Sequence, residues 1–308
     1  MATPGARFRE AVEAERPLQI AGVINAYAAM MAARAGFRAL YVSGAGVANA
    51  SYGLPDLGFT TLENVVEDVR RIASAVETPL LVDVDTGWDD PAATARAMIS
   101  AGAAAMQIED QVPAKRCGHR PNKQVVPAEE MIARVRASVQ GRGADPDFVI
   151  LARTDAVAME GVAAAIARAR RYVEAGADMI FAEALTSPED FVTFVRGVPV
   201  PVLANMTEFG KTPLMTAAQL GAAGVRLVLY PLSAFRAMNA AAWNVFRAIR
   251  ADGGQQSVVK AMQTRAELYD FLNYEKYERE ADESRAAKRP PLPGRRTGDT
   301  PDAAQNKG

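Results

Sequence analysis

The chain has 308 residues, of which 49% are hydrophobic and 23% charged, and its formal net charge is −1. These are the proportions of an ordinary globular protein, which excludes a collagen-like or wholly disordered chain. The near-neutral charge gives no reason to expect a nucleic-acid partner, and no apolar run reaches the roughly 18 residues that a transmembrane helix needs.

The first 18 residues carry Arg7, Glu10, Glu13 and Glu15 and no apolar stretch of the kind a secretory leader has. Eight short, near-continuously apolar runs follow, at 18–25, 39–44, 79–85, 104–110, 148–155, 178–184, 201–206 and 225–231. Such runs predict strands buried on both faces. Ala-rich stretches with helical spacing lie between them, for example 62–74, 127–139 and 161–174. Several end in Ala-Gly, at Ala35-Gly36, Ala101-Gly102, Ala175-Gly176 and Ala223-Gly224, where glycine suits the residue after a helix. Eight strand–helix units predict an α/β fold, a (β/α)8 TIM-type barrel. A doubly wound sheet is the alternative, but Ser43-Gly44-Ala45-Gly46 does not complete a dinucleotide fingerprint.

After the eighth run, 232–252 reads as an apolar helix with Phe235, Trp243 and Phe246. A second helical stretch, 257–280, carries Tyr269, Phe271, Tyr274 and Tyr277. These aromatics pack either on their own barrel or against another subunit. Residues 1–284 read as one domain, with 232–284 as its helical extension, and 285–308 as a disordered basic tail.

In a barrel of this kind the active site lies at the C-terminal strand ends. There the sequence places Ser43-Gly44, Asp83 and Asp85, Glu109-Asp110, Arg153-Thr154-Asp155, Glu183, and Asn205-Met206-Thr207-Glu208. Charged groups ending apolar strands are costly unless paired or bound to something. One of them would ordinarily be a structural ion pair; five strands doing it together point to a binding site. Asp83 and Asp85 fall on alternate positions of one run, hence on one face. Two such carboxylates repel unless a cation or proton lies between them. Mg²⁺ or Mn²⁺ suits them, and a pair salt-bridged to arginines is the other reading. One cysteine, Cys117, and one histidine, His119, exclude a zinc site built of several His and Cys, and any intrachain disulfide. That usage fits a reducing cytoplasm. Cys117 stands among Lys115, Arg116, His119 and Arg120, which favour its thiolate; the other reading is a small buried hydrophobe. This basic stretch reads as a lid over the barrel mouth. Arg153, Arg236 and Arg265 suit a substrate with several carboxylates.

Lys115-Arg116-Cys117-Gly118-His119 resembles the K-[KR]-C-G-H signature of the isocitrate lyase / phosphoenolpyruvate mutase superfamily. The resemblance covers residues 5–280, through Gly53-Leu54-Pro55-Asp56-Leu57-Gly58, Glu109-Asp110-Gln111, Arg153-Thr154-Asp155-Ala156 and Asn205-Met206-Thr207-Glu208-Phe209-Gly210. It continues through Tyr230-Pro231-Leu232-Ser233-Ala234-Phe235-Arg236 and Met262-Gln263-Thr264-Arg265. Within the superfamily it is most similar to the branch acting on 2-methylisocitrate.

The resemblance implies a barrel whose last helix is exchanged with a neighbouring subunit, in a cytoplasmic homotetramer. It implies Mg²⁺-dependent retro-aldol cleavage of 2-methylisocitrate to pyruvate and succinate, in the methylcitrate cycle of propionate catabolism. It makes Asp83 and Asp85 the metal positions, with Glu109 supporting them through water. It makes Ser43, Gly44 and Ala45 the loop for the pyruvate half, and Cys117 the acid that protonates the succinate carbanion. Gly118 and His119 accompany Cys117 on the lid, and Asp56 and Lys115 match positions implicated in catalysis. Arg153, Glu183, Asn205, Met206, Thr207, Arg236 and Arg265 match substrate contacts.

After Asp85-Thr86-Gly87 the family usually continues G-[FY]-G and an Asn-containing turn. This chain reads Gly87-Trp88-Asp89-Asp90-Pro91, which bears on substrate preference. Where many relatives have two glycines after the serine, this chain has Gly44-Ala45. The alternatives are a 2,3-dimethylmalate or isocitrate lyase, a phosphonopyruvate-type mutase or hydrolase, and a non-catalytic barrel.

Overall fold

A computed structural model describes residues 2–112 and 124–287, with side chains to residue 283. Eight parallel strands close into a barrel in the order β1 to β8. They are β1 (Leu18–Gly22), β2 (Ala39–Val42), β3 (Leu80–Asp83), β4 (Ala105–Glu109), β5 (Val149–Thr154), β6 (Met179–Ala182), β7 (Val202–Asn205) and β8 (Leu227–Tyr230). The helices are α1 (Pro4–Ala14), α2 (Ala26–Arg34), α3 (Gly44–Gly46), α4 (Leu62–Ala73), α5 (Pro91–Ala101), α6 (Ala128–Arg142), α7 (Val157–Glu174), α8 (Pro188–Gly197), α9 (Ala217–Ala222), α10 (Ser233–Asp252), α11 (Arg265–Leu272) and α12 (Tyr274–Ala287). The barrel is the predicted architecture, and each predicted run holds one strand. No helix of the described residues is long and apolar enough to cross a membrane.

Two apolar layers follow from the period of two along each strand. One parity turns outward. Leu40, Val42, Leu80, Val82, Met106, Ile108 and Ile150 pack there with helix residues such as Val69, Met98 and Val135. The other parity fills the barrel with Leu18, Ile20, Tyr41, Leu81, Leu151, Phe181, Leu203 and Leu229. Phe8 and Val12 of α1 belong to this interior cluster, so α1 plugs the barrel from below. Arg9 ties α1 down through Asp147 O and Asp178, in the segments that lead into β5 and β6. Burying a side chain such as Phe8 contributes about 1.5–3 kcal/mol.

The predicted Ala-Gly turns are present: Gly36, Gly102, Gly176 and Gly224 all have left-handed φ. At Gly102 the helix α5 ends with φ 94°, a conformation that a Cβ would strain. Helix α7 begins at Val157, earlier than predicted, and breaks at Gly161 (φ 82°, ψ 170°).

Two compact units are present, residues 1–257 and 258–308. The division falls inside the extension that the sequence assigns to the barrel domain. In the first unit, α10 has no buried residue, and Trp243 and Phe246 are exposed. In the second, the single helical stretch expected over 257–280 is a short 3-10 turn (Val259–Ala261) followed by α11 and α12. Thr264 caps α11 in a capping box with Glu267, and Asn273 at φ 54° ends it. Helix α12 runs to Ala287, past the expected start of the disordered tail; the rest of that tail lies outside the described residues.

Candidate active site

The inward parity that is apolar lower in the barrel becomes polar at the strand ends. Tyr41 is followed by Ser43, Leu81 by Asp83, Leu151 by Arg153, Phe181 by Glu183 and Leu203 by Asn205. A cavity opens there, lined by Ser43, Ala45, Asp56, Asp83, Arg153, Glu183, Asn205, Thr207 and Arg236, with Tyr41, Phe181 and Leu229 among its apolar walls. Two successive inward positions thus supply wall and chemistry together. Tyr41 and Phe181 were not singled out in the sequence, although counting back by two from Ser43 and Glu183 finds them.

Arg153 organises the mouth. Its Nε donates to Asp155 Oδ2 at 2.9 Å and its Nη2 to Asp155 Oδ1 at 3.1 Å. Glu109 lies 3.4 Å from Nη1 and Glu183 3.3 Å from Nη2. The guanidinium also lies 5.1 Å from the centre of the Phe181 ring. Burial works to strip the charge from Arg153; Asp155, Glu109 and Glu183 overcome it and hold the guanidinium protonated well above its ordinary range.

Behind it, in the layer between the strands and α7, Asp110 is fully buried. It accepts from Thr154 Oγ1 at 2.8 Å, the Asp155 backbone N–H at 2.9 Å and the Tyr172 hydroxyl at 2.9 Å. Burial raises the Asp110 carboxyl above its ordinary value, and these three donors partly offset it. This support fixes the turn that carries Asp155. Just past β4, Gln111 pairs with Val125 in an antiparallel bridge. Arg134 pins this stretch through Glu109 O at 3.0 Å and Gln111 O at 2.8 Å.

The metal candidates differ from expectation in one respect. Asp83 ends β3, but Asp85 lies past it, with φ 48°. The two carboxylates therefore do not converge by simple strand alternation. The turn brings them together: the Asp85 backbone N–H donates to Asp83 Oδ1 at 3.2 Å, and the Gly44 N–H to Asp83 Oδ2 at 3.1 Å. A Cβ placed on Gly44 would lie 3.2 Å from Asp83 Oδ2 and 3.3 Å from Asp85 Oδ1. Both carboxylates thus face the same point over Gly44. Among the described residues no third His, Cys, Asp or Glu completes a ligand group. This donor set fits Mg²⁺, which takes one or two carboxylates and fills its octahedron with water and substrate oxygens.

The other candidates separate. Ser43 does not start a loop; it precedes the short helix α3, which continues as a π-turn over Val47–Ser51. Arg236, in the first turn of α10, lies 3.5 Å from Glu208 and 5.6 Å from the centre of the Phe209 ring. Met206 is buried in the outer core and does not line the cavity, because its parity is opposite to that of Asn205 and Thr207. Arg265 opens α11 in the second unit. Lys115, Cys117, Gly118 and His119 lie outside the described residues. Glu208, which also accepts from the Ser233 hydroxyl, was noted at a strand end but not counted as a site residue.

The barrel, of the phosphoenolpyruvate mutase type, carries a carboxylate pair over β3 and an arginine–carboxylate cluster over β4 to β6. The sequence matches the family described as phosphoenolpyruvate phosphomutase over residues 8–250, and the chain belongs to that family. It is 57% identical to the 2-methylisocitrate lyase of Vibrio cholerae serotype O1, over 91% of this chain and 94% of that protein. It is 55% identical to the 2-methylisocitrate lyase of Escherichia coli K12, over 91% of this chain and 96% of that protein. Among solved structures it is similar to 2,3-dimethylmalate lyase, a member of the same superfamily, with TM-score 0.85 and 33% identity, over 92% of this chain and 96% of that one.

Proposed function

We propose that the protein is a carbon–carbon lyase that cleaves 2-methylisocitrate to pyruvate and succinate, within the methylcitrate route of propionate breakdown in the cytoplasm. The observation that carries this reading is the 57% identity to a 2-methylisocitrate lyase along nearly the whole of both chains. The mouth of the barrel supports it. Asp83, Asp85, Glu109, Asp155 and Glu183 set five buried carboxylates against the guanidinium of Arg153. A site so acidic repels a tricarboxylate unless cations join it. Asp83 and Asp85 would hold Mg²⁺, which supplies positive charge and Lewis-acid polarisation of the substrate oxygen. Arg236, on the cavity wall, supplies a further positive charge.

In this reading Ser43, Gly44 and Ala45 seat the pyruvate half beside the carboxylate pair. Arg153, held by Asp155 and Glu183, and Asn205 and Thr207 orient the carboxylates of the succinate half. The C2 hydroxyl gives up its proton to a base as the C2–C3 bond breaks, and the bond pair remains on the carbon beside a carboxylate. Cys117 gives that carbon its proton, with His119, Gly118 and Lys115 on the same segment. Asp56, on the wall of the same cavity, would stand near the reacting groups.

The partner we propose is a second copy of the chain, in a homotetramer. An apolar groove of about 610 Å³ lies between β1, α2 and α10, with Ala21, Met31, Phe37, Tyr230 and Met238 in its walls and no charged side chain. It fits a helix exchanged from a neighbour, as does the exposed Trp243–Phe246 face. Light scattering of the purified protein tests this; a monomer at micromolar concentration refutes it.

The test of activity, with Mg²⁺, is release of 2-oxoacid from threo-2-methylisocitrate, isocitrate and 2,3-dimethylmalate, and loss of 2-oxoacid from oxaloacetate. Pyruvate and succinate from the first, abolished by EDTA, is the expected result. Turnover of another substrate in its place refutes the specificity. Silence on all four refutes the lyase reading.

A further inference from the structure

The turn after β3 holds three left-handed residues in four: Asp85 (φ 48°), Gly87 (φ 85°) and Trp88 (φ 50°). For a bulky aromatic such a φ is an outlier that costs energy, and it persists only where surrounding contacts over-determine it. The contacts are visible. The Gly87 N–H donates to Val84 O at 2.8 Å, Thr94 Oγ1 donates to Gly87 O at 2.9 Å, and the Glu109 N–H donates to Asp85 O at 2.9 Å. The ring of Trp88 is half-buried against the outer core. Its indole N–H leaves the turn and donates to the Thr60 carbonyl at 3.0 Å.

Thr60 ends the loop that carries Asp56. That loop is held within its own segment by Asn49 Nδ2 on Leu54 O at 2.7 Å and by Asn64 Nδ2 on the Tyr52 hydroxyl at 2.9 Å. The Trp88 bond links it instead to another segment, three residues from Asp85. Phenylalanine or tyrosine would fill the same space but has no N–H at that place. The strained backbone is what aims the indole across the gap between the two loops.

We propose that Trp88 is a positioning residue, whose indole bond to Thr60 couples the Asp83–Asp85 turn to the Asp56 loop. Metal capture at one and placement of the carboxylate at the other then become a single event. The inference rests on the reading of Asp83 and Asp85 as the metal carboxylates.

The experiment uses the full-length protein and two variants. Trp243→Phe leaves Trp88 as the one remaining indole of the two in the chain. Its emission is followed while MgCl₂ alone, and then MgCl₂ with succinate, is added. The emission shifts and saturates at the Mg²⁺ concentration that calorimetry gives. Trp88→Phe keeps the ring and loses the donor. It weakens Mg²⁺ binding and lowers kcat for 2-methylisocitrate, each about three- to tenfold, the scale of one neutral hydrogen bond. The substrate KM of Trp88→Phe stays within about twofold of that of the natural protein, because this ring is not asked to bind substrate. An unmoved Trp88 emission, or Mg²⁺ affinity unchanged in Trp88→Phe, overturns the coupling while the metal reading stands. If calorimetry finds no Mg²⁺ binding that Asp83→Ala removes, the metal reading and the coupling fall together.

Discussion

Replacing Arg153 by methionine and by lysine separates its charge from its shape. Methionine leaves Asp155, Glu109 and Glu183 buried without the cation they surround. Breaking a buried ion cluster from one side costs about 3–5 kcal/mol. Lysine keeps a charge among the three carboxylates but loses the two-pronged grip on Asp155 and the stacking on Phe181. That loss is one or two charge-assisted hydrogen bonds, about 1.5–3 kcal/mol. At roughly 2–4 °C per kcal/mol, the midpoint of thermal unfolding should fall by about 6–20 °C for methionine and clearly less for lysine. The methionine loss should shrink from about pH 8 to about pH 5, because buried carboxylates deprived of a cation escape by taking up protons. The assay is thermal unfolding by circular dichroism across pH, beside 2-oxoacid release. A methionine variant as stable as the lysine variant at pH 8 would show that the cluster does not hold the mouth together, and would refute the reasoning.

Asp110 has a carboxyl raised by burial, so the stability tied to its proton is present below its unfolded value and lost as pH rises through the folded one. Asp110→Asn should therefore gain on the natural protein between about pH 4 and pH 7, with Asn Oδ1 keeping the Asp155 N–H and the Thr154 and Tyr172 hydroxyls turning to accept; urea titrations at both pH values decide it, and a gain on acidification instead contradicts the assignment. Gly44→Ala puts a methyl 3.2–3.3 Å from both carboxylates. Because Mg²⁺ needs near-ideal octahedral geometry, its binding should weaken about tenfold or more by calorimetry with little change in thermal stability; equal affinity would place the metal elsewhere. Gly22→Ala puts a methyl 1.7 Å from the Pro231 carbonyl oxygen, where β1 passes the end of β8. Backbone must move, and a loss of about 3 kcal/mol or more is expected in denaturant titrations; a neutral result would mean that this barrel seam is softer than the packing indicates.

The barrel is legible in the sequence because burial on both faces leaves little but apolar residues in each strand, and the glycine turns mark where the helices stop. Ends are less legible. The run 79–85 is apolar enough to look like strand throughout, yet the ladder stops at Asp83 and Asp85 sits in a left-handed turn. The composition of 257–280 hides two helix boundaries, although Thr264 and Glu267 already form a capping box in the sequence. The site was visible as charge at strand ends, since such charge has no reason to be there except pairing or binding. What it pairs with was not: the pairing of Glu183 with Arg153, the support of Asp110 by Tyr172 and the reach of Trp88 to Thr60 join residues whose sequence separations carry no periodic signal.

Helix α1 plugs the barrel from below, with Phe8 and Val12 among the interior residues. A vessel stoppered at one end has one door. Substrate comes in, and both fragments go out, by the same opening. In the proposed reaction, a fragment seated by Asp83 and the floor of Tyr41 and Phe181 would wait behind the one nearer the rim. On that reading, the order in which the two products leave follows from a barrel closed beneath by α1.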